Sequence, residues 1–247
     1  MATTDSSPAP IVHIGYHKTA STWFQKQLYP HASSHRYVPR EHVRSVLTRP
    51  HAFSFDPSAV IRTLVSSDSR PFVLCDEDLS GHFESGGHMG ALSKEFAERI
   101  YSAFPRARIV IVIRNQLDII AAAYAQYIKQ GGTHKPEHFL YPSLYRKGPW
   151  RQPNKKPLFA FEHFNYLGLI RHYQQLFGID RVHVFAYEQL RHDPQSFMRD
   201  FSARTGLDFD PDSIRTGSEN SSYLHRTLAL ARFLNHFTYR DLSLIHI

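Results

Sequence analysis

Cysteine is nearly absent from this chain. Cys75 stands alone among 247 residues, so no disulfide can form within the chain, and a reducing compartment suits it. No apolar run approaches the roughly 18 residues that a membrane span needs. The opening MATTDSSPAP has neither a basic nor an apolar stretch of the kind that marks a secretory signal. A cytoplasmic protein is the expectation. Histidine is plentiful at 17 residues, yet none falls in a His-Glu-x-x-His or Cys/His zinc spacing. His31 with His35, and His134 with His138, are spaced to share helix faces, but with no cysteine nearby no metal site is expected. Internal repeats are missing, and so is any Pro/Gly/Ser linker. At roughly 150 residues per domain the length allows one large domain or two small ones, and without a linker one domain is expected.

What is present is ordinary globular composition with a basic excess. Hydrophobic residues make up 42% and charged residues 21%, which excludes a disordered or fibrous chain. The net charge of +7 suits an anionic partner. Between Lys135 and Lys156 lie six Lys or Arg residues and one acid, Glu137. That segment is either a solvated basic loop or a guide for anions. It falls within residues Gly131–Phe161, which carry five prolines. A loop of this size inside a compact domain is usually a lid or a binding surface.

Apolar runs place strands at Pro10–Gly15, Pro71–Cys75, Ala107–Ile113 and Arg181–Ala186. The third, ARIVIVI, is β-branched and continuously apolar, as expected of a strand buried on both faces of a parallel sheet. Between the strands, helical spacing predicts a helix over Ser21–Tyr29 ending near Pro30. A second stripe runs through Leu92, Phe96, Ile100, Ala103 and Phe104, and a third through Leu117, Ile120, Ala121, Tyr124 and Ile128. Further helices are predicted over Phe164–Phe177 and Pro194–Thr205, closed by Gly178 and Gly206. Strands alternating with helices imply an α/β fold: a three-layer sandwich with a central parallel sheet flanked by helices.

Two constellations carry chemistry. The first is Gly15-Tyr16-His17-Lys18-Thr19-Ala20-Ser21-Thr22-Trp23, at a strand–loop–helix junction. Such a junction presents free backbone N–H groups, and small hydroxyl residues let that backbone approach an anion. Lys18 adds a full charge. A Walker A loop would place the lysine after its glycines, and here Lys18 precedes the small residues, so this is not an NTPase loop. The second is Arg114-Asn115-Gln116-Leu117-Asp118, where the strongest strand ends and a helix begins. Ligands of parallel α/β sheets bind beyond the carboxyl ends of strands, and an arginine there suits bidentate binding of a phosphate.

Together these segments resemble the sulfotransferase family, in its soluble bacterial-like branch. Lys18, Ser21, Thr22 and Trp23 align with the family's 5′-phosphosulfate loop, Lys-x-Gly-[Thr/Ser]-Thr-[Trp/Phe], and Ala20 replaces its glycine. Arg114 aligns with the arginine that holds the 3′-phosphate of 3′-phosphoadenosine 5′-phosphosulfate (PAPS). The family's serine, eight residues further on, is Ala122 here, and Asn220-Ser221-Ser222 is the candidate replacement. VHVFAYEQL at Val182–Leu190 resembles a late strand of the family. The resemblance spans residues 10–240 and implies a P-loop-type fold. It also implies transfer of a sulfuryl group from PAPS to a hydroxyl or amine, with no metal and no nucleic acid.

The donor would be held by Lys18, Thr19, Ala20, Ser21, Thr22, Trp23, Arg114 and Asn220, and Lys18 would also act in catalysis. Glu77, in the run Cys75-Asp76-Glu77-Asp78, is the first candidate for the base that activates the acceptor, with His82 and His17 next. Asp76, Glu77 and Asp78 could equally be an N-cap cluster. The acceptor is not readable, although Tyr141, Tyr145 and Trp150 suit stacking on a sugar. A P-loop kinase and a non-catalytic nucleotide- or glycan-binding module are the alternatives. The domain is expected over 10–241, truncated at its C-terminus, after a disordered 1–9. The closing LSLIHI, 242–247, matches the conceptual translation of a sequencing adapter and is expected to be non-native.

Overall fold

The computed structural model describes residues 9–65, 68, 70–83, 86–142, 159–216 and 225–237. Five strands form one sheet: β1 (Ile11–His13), β2 (Arg36–Val38), β3 (Phe72–Cys75), β4 (Arg108–Ile113) and β5 (Val182–Ala186). Their order is β2-β3-β1-β4-β5, and every neighbouring pair is parallel. Parallel neighbours need crossover connections, and the helices between the strands supply them. The expected α/β sandwich is the architecture observed.

Alternation along the strands builds two cores. Ile109 and Ile111 of β4 face one apolar cluster with Val12, Leu74, Phe96 and Ile100. Val110 and Val112 face the other, with Ile11, Val73, Phe24 and Phe201. The four central residues of β4 are fully buried, which accounts for its unbroken apolar run. Helices Ala91–Ala103 and Tyr166–Phe177 pack on the first face. Pro194–Thr205 packs on the second and ends at Gly206 in the left-handed region, φ +70°.

Three expectations need correction. The sequence pattern missed β2, a three-residue edge strand whose first two residues are only half-buried, too short and too mixed to show a period. The helix predicted over Ser21–Tyr29 is α-helical only for Ser21–Trp23. It widens into a π-turn over Phe24–Leu28 and tightens to a 3-10 turn over Tyr29–His31, which takes in Pro30. In helix Gln116–Lys129 the buried face is Ile119, Ala123, Tyr127 and Ile128, while Leu117 is 79% exposed. The buried face is rotated from the expected stripe: Ile119 and Ala123 face the core, while Ile120 and Tyr124 are only partly buried against it. Among the described residues no helix is long and apolar enough to cross a membrane.

The core also holds histidines in their neutral form. His13 lies fully buried in β1, its Nδ1 paired with the Tyr29 hydroxyl at 2.6 Å. Burial lowers its pKa from 6.5 to about 3. His163 is lowered to about 4, by burial and then by nearby His17. In the unfolded chain both titrate near 6.5, so from there down to about pH 4 the unfolded state binds more protons and stability falls with falling pH. Chemical denaturation should therefore give a smaller unfolding free energy at pH 5 than at pH 7. The slope should flatten in His13→Asn, which keeps a polar partner for Tyr29 but cannot titrate. Equal stability at the two pH values would refute the neutral-core reading.

Candidate active site

The chain leaves β1 for β2 on one side of the sheet, whereas β4 is followed by β5 on the other. The carboxyl ends of β1 and β4 therefore flank the point where strand order reverses, the position at which open parallel sheets bind ligands. The loop after β1 and the residues after β4 meet there. Arg114 donates from Nη1 to the carbonyl of Lys18 at 3.0 Å. Its guanidinium lies 5.0 Å from the Tyr187 ring centre, and its own carbonyl accepts from the Tyr166 hydroxyl at 2.7 Å. The two constellations of the sequence are one structure.

The β1 loop is folded tightly. Gly15 (φ +56°), Lys18 (φ +63°) and Ala20 (φ +68°) all lie in the left-handed region. At Gly15 the backbone passes beside the end of β3: an added Cβ would lie 3.6 Å from Glu77 Cα and Cβ. Thr19 is fully buried, and its hydroxyl donates to the Tyr16 carbonyl and accepts from the Tyr16 N–H. Its side chain pins the turn. Ala20 occupies the N-cap position and makes no side-chain cap, so the first N–H groups of the following helix receive no help from it. Trp23 points away into the core, 5% exposed, with its indole N–H donated to the Arg215 carbonyl at 2.6 Å.

A cavity of about 310 Å³ opens beside this loop. Lys18, Ser21 and Thr22 line one part of it, Glu77, Asp78 and His17 another, with Arg40, Gln126 and Gln130 completing the wall. Sequence reasoning had singled out the first six, apart from Asp78's separate role, and had not found the last three. Arg40 and Arg44 lie four residues apart, one helical turn. Gln126 and Gln130 continue, at the same spacing, the face begun by Ala122. That spacing is common to every helix face, so it could not have singled them out.

The acidic run is held by this basic pair. Arg44 grips Asp76 through Nε at 2.7 Å and also reaches Asp78. Arg40 pairs with Glu77 at 2.8 Å, and Gln25 donates to the other Glu77 oxygen at 3.3 Å. His17 Nε2 lies 2.9 Å from Asp78 Oδ1, its ring stacked on Phe83. Burial raises the pKa of Asp76 despite Arg44. For Asp78 burial acts the same way but is outweighed by the His17 hydrogen bond and by the charges of His17, Arg44 and Arg40, which hold it at about 2. The N-cap role also exists, since Asp76 accepts from the Asp78 N–H at the start of the turn Glu77–Ser80.

His82 is exposed, 6.2 Å from the His88 ring, and does not line the cavity. His31 and His35 do not share a helix face, because His31 ends a 3-10 turn and His35 precedes β2. His134 lies just ahead of helix Pro136–Leu140, which carries His138. Asn220 with Ser221 and Ser222, the basic residues Arg146 to Lys156, Tyr145, Trp150 and the tail 242–247 lie outside the described residues. Tyr141 is half-exposed beside Phe161.

Fold and site together define a parallel α/β protein with a cationic loop at its strand-order switch. Residues 91–211, about half of the chain, match the family model described as the sulfotransferase family. That span includes Arg114 and stops short of the Lys18 loop. No curated protein matches. The fold is similar to a sulfotransferase from Alicyclobacillus acidocaldarius (TM-score 0.61, 20% identity, 96% of each chain covered). It is also similar to the sulfotransferase domain from the curacin biosynthetic pathway (TM-score 0.51, 14% identity, 95% of this chain and 88% of that one). The family model supports a member of the sulfotransferase family, and the two solved structures support the fold.

Ala20 stands where the family's loop has glycine, and the structure puts it in the left-handed region. That conformation costs a residue with a Cβ about 1–2 kcal/mol, partly offset by glycine's larger loss of freedom on folding. Ala20→Gly should therefore stabilise the protein by about 0.5–1 kcal/mol, read as a higher midpoint in thermal or denaturant unfolding. A lower midpoint would show that the loop is not strained there.

Proposed function

We propose that this chain transfers a sulfuryl group from PAPS to a hydroxyl or amine of a polar acceptor, in one domain spanning 10–241. The observation that carries the reading is the convergence of Lys18, Ser21 and Thr22 with Glu77 on one cavity, while Arg114 is clamped to the same loop. The groups suit an anionic donor: an ammonium and two hydroxyls face the cavity, and a guanidinium sits one contact away. That contact engages one of the five N–H donors of Arg114, leaving others for a phosphate. PAPS, when bound, supplies the sulfuryl group and departs as adenosine 3′,5′-bisphosphate.

In this reading Lys18 offsets the charge that develops as the bisphosphate leaves, an interaction stronger in the transition state than in the ground state. Glu77, held by Arg40 and Gln25, is the base that takes the acceptor's proton. The cavity wall is polar apart from Ala20. An apolar acceptor would leave these groups without partners, at about 1–3 kcal/mol each, so a carbohydrate suits it better than a phenol. A cytoplasmic setting suits the buried, unpaired Cys75.

Calorimetry tests the donor first. Adenosine 3′,5′-bisphosphate should bind without metal and more tightly than adenosine 5′-monophosphate, and Arg114→Ala should remove about 1.5–3 kcal/mol of that binding. Equal affinity for the two nucleotides would remove Arg114 from the 3′-phosphate site.

The second test is kinetic. With radiolabelled PAPS and a panel of oligosaccharides, Lys18→Ala should lower turnover by about 10²–10³-fold with a much smaller loss of bisphosphate affinity. Lys18→Arg should not restore the rate, since a planar fork does not replace a point charge. Turnover near wild type in Lys18→Ala would reduce the loop to a nucleotide holder.

A further inference from the structure

A lysine at an exposed loop has about 2 kcal/mol of side-chain rotamer freedom, and a cation that must meet one oxygen atom cannot wander through it. Lys18 is exposed, yet it is held at both ends. Its backbone is fixed in the left-handed region with its carbonyl on Arg114. At the other end, Nζ donates to Gln126 Oε1 at 2.9 Å. Arg114 directly follows β4 and Gln126 lies in the helix after it, so a single strand–helix unit sets both the root and the tip of this side chain. Gln126 also lines the cavity with Lys18, Ser21 and Thr22.

We propose that Gln126 is the positioning residue for Lys18, aiming its ammonium into the cavity while leaving its charge intact. The chemistry of the amide supports this. A carboxylate at the same place would hold the ammonium more firmly, but would cancel the positive charge that the loop offers to an anion. The carboxylates that do line the cavity are engaged by other partners: Glu77 by Arg40, and Asp78 by His17 and Arg44. A neutral acceptor therefore meets Lys18, and charged donors meet the carboxylates. The assignment of Lys18 as the cation at the reacting group rests on the proposed function. The placement of its ammonium by Gln126 does not.

Competitive acetylation with acetic anhydride, read by mass spectrometry on the full chain, measures how freely the Lys18 amine reacts relative to exposed Lys26. In Gln126→Leu the ratio should rise by about two- to tenfold, the population change that one ordinary hydrogen bond supports. In Gln126→Glu it should fall by a similar factor, because a carboxylate favours the protonated ammonium. Opposite movement in two variants of similar size is not what general loosening of the helix would produce, and thermal unfolding of both variants monitors such loosening directly. A ratio that stays constant, or that moves the same way in both variants, overturns the proposal. Calorimetry with adenosine 3′,5′-bisphosphate on the wild-type protein keeps the two ideas apart. Absence of binding would sink the PAPS reading while leaving the acetylation result to stand or fall alone.

Discussion

The hydrogen bond from Arg114 to the carbonyl of Lys18 ties the two carboxyl ends of the central strands into one site. It spans 96 positions of sequence, and it forms because β1 and β4 are adjacent and parallel. Parallel pairing points both carboxyl ends the same way, and the reversal of strand order leaves the space between them uncovered. The candidate site hangs from that crevice: the left-handed turn at Lys18, the cavity beside it and the guanidinium beyond it. A shift in the β1–β4 register would carry Arg114 away from the loop, so the parallel ladder Ile11–Arg108, Val12–Ile109 and His13–Val110 is also what keeps the site assembled.

The second organising constraint is electrostatic. Three consecutive carboxylates at the end of β3 would repel one another and resist burial, yet Asp76 is fully buried and Glu77 nearly so. Arg40 and Arg44, one helical turn apart, meet them from the neighbouring helix and its π-turn. This cluster contributes order more than net stability, since desolvating charges costs about what their attraction returns. Its consequence is geometric: Glu77 and Asp78 are presented to the cavity in fixed directions, alongside Lys18 and the Gln126 amide.

Much of this was legible in the residues. Four of the five strands, the closing glycines of two helices and the two constellations could be read because each rests on a local rule: β-branched apolar runs, glycine in the left-handed region, small residues after a lysine. Where local rules conflicted with packing, packing won. Leu117 obeys helical spacing and is exposed, because the helix turns Ile119, not Leu117, toward the core. Trp23 sits in a motif that suggests a ligand contact, and its indole is instead buried against Phe24 with its N–H on the Arg215 carbonyl. Thr19 looked like a donor to an anion, and its hydroxyl is spent on the turn.

The sequence by itself determined the class of fold and the chemical identity of the loop, because periodicity and residue type act over a few neighbours. Only the tertiary structure decided which distant side chains complete the site. Arg40, Arg44, Gln126 and Gln130 carry no local signature that separates them from ordinary surface residues. Their roles arise when crossovers of tens of residues return each helix to the same end of the sheet. Gln126 meets Lys18 across 108 positions. That meeting is fixed by sheet order and helix length, quantities that no short window of residues contains.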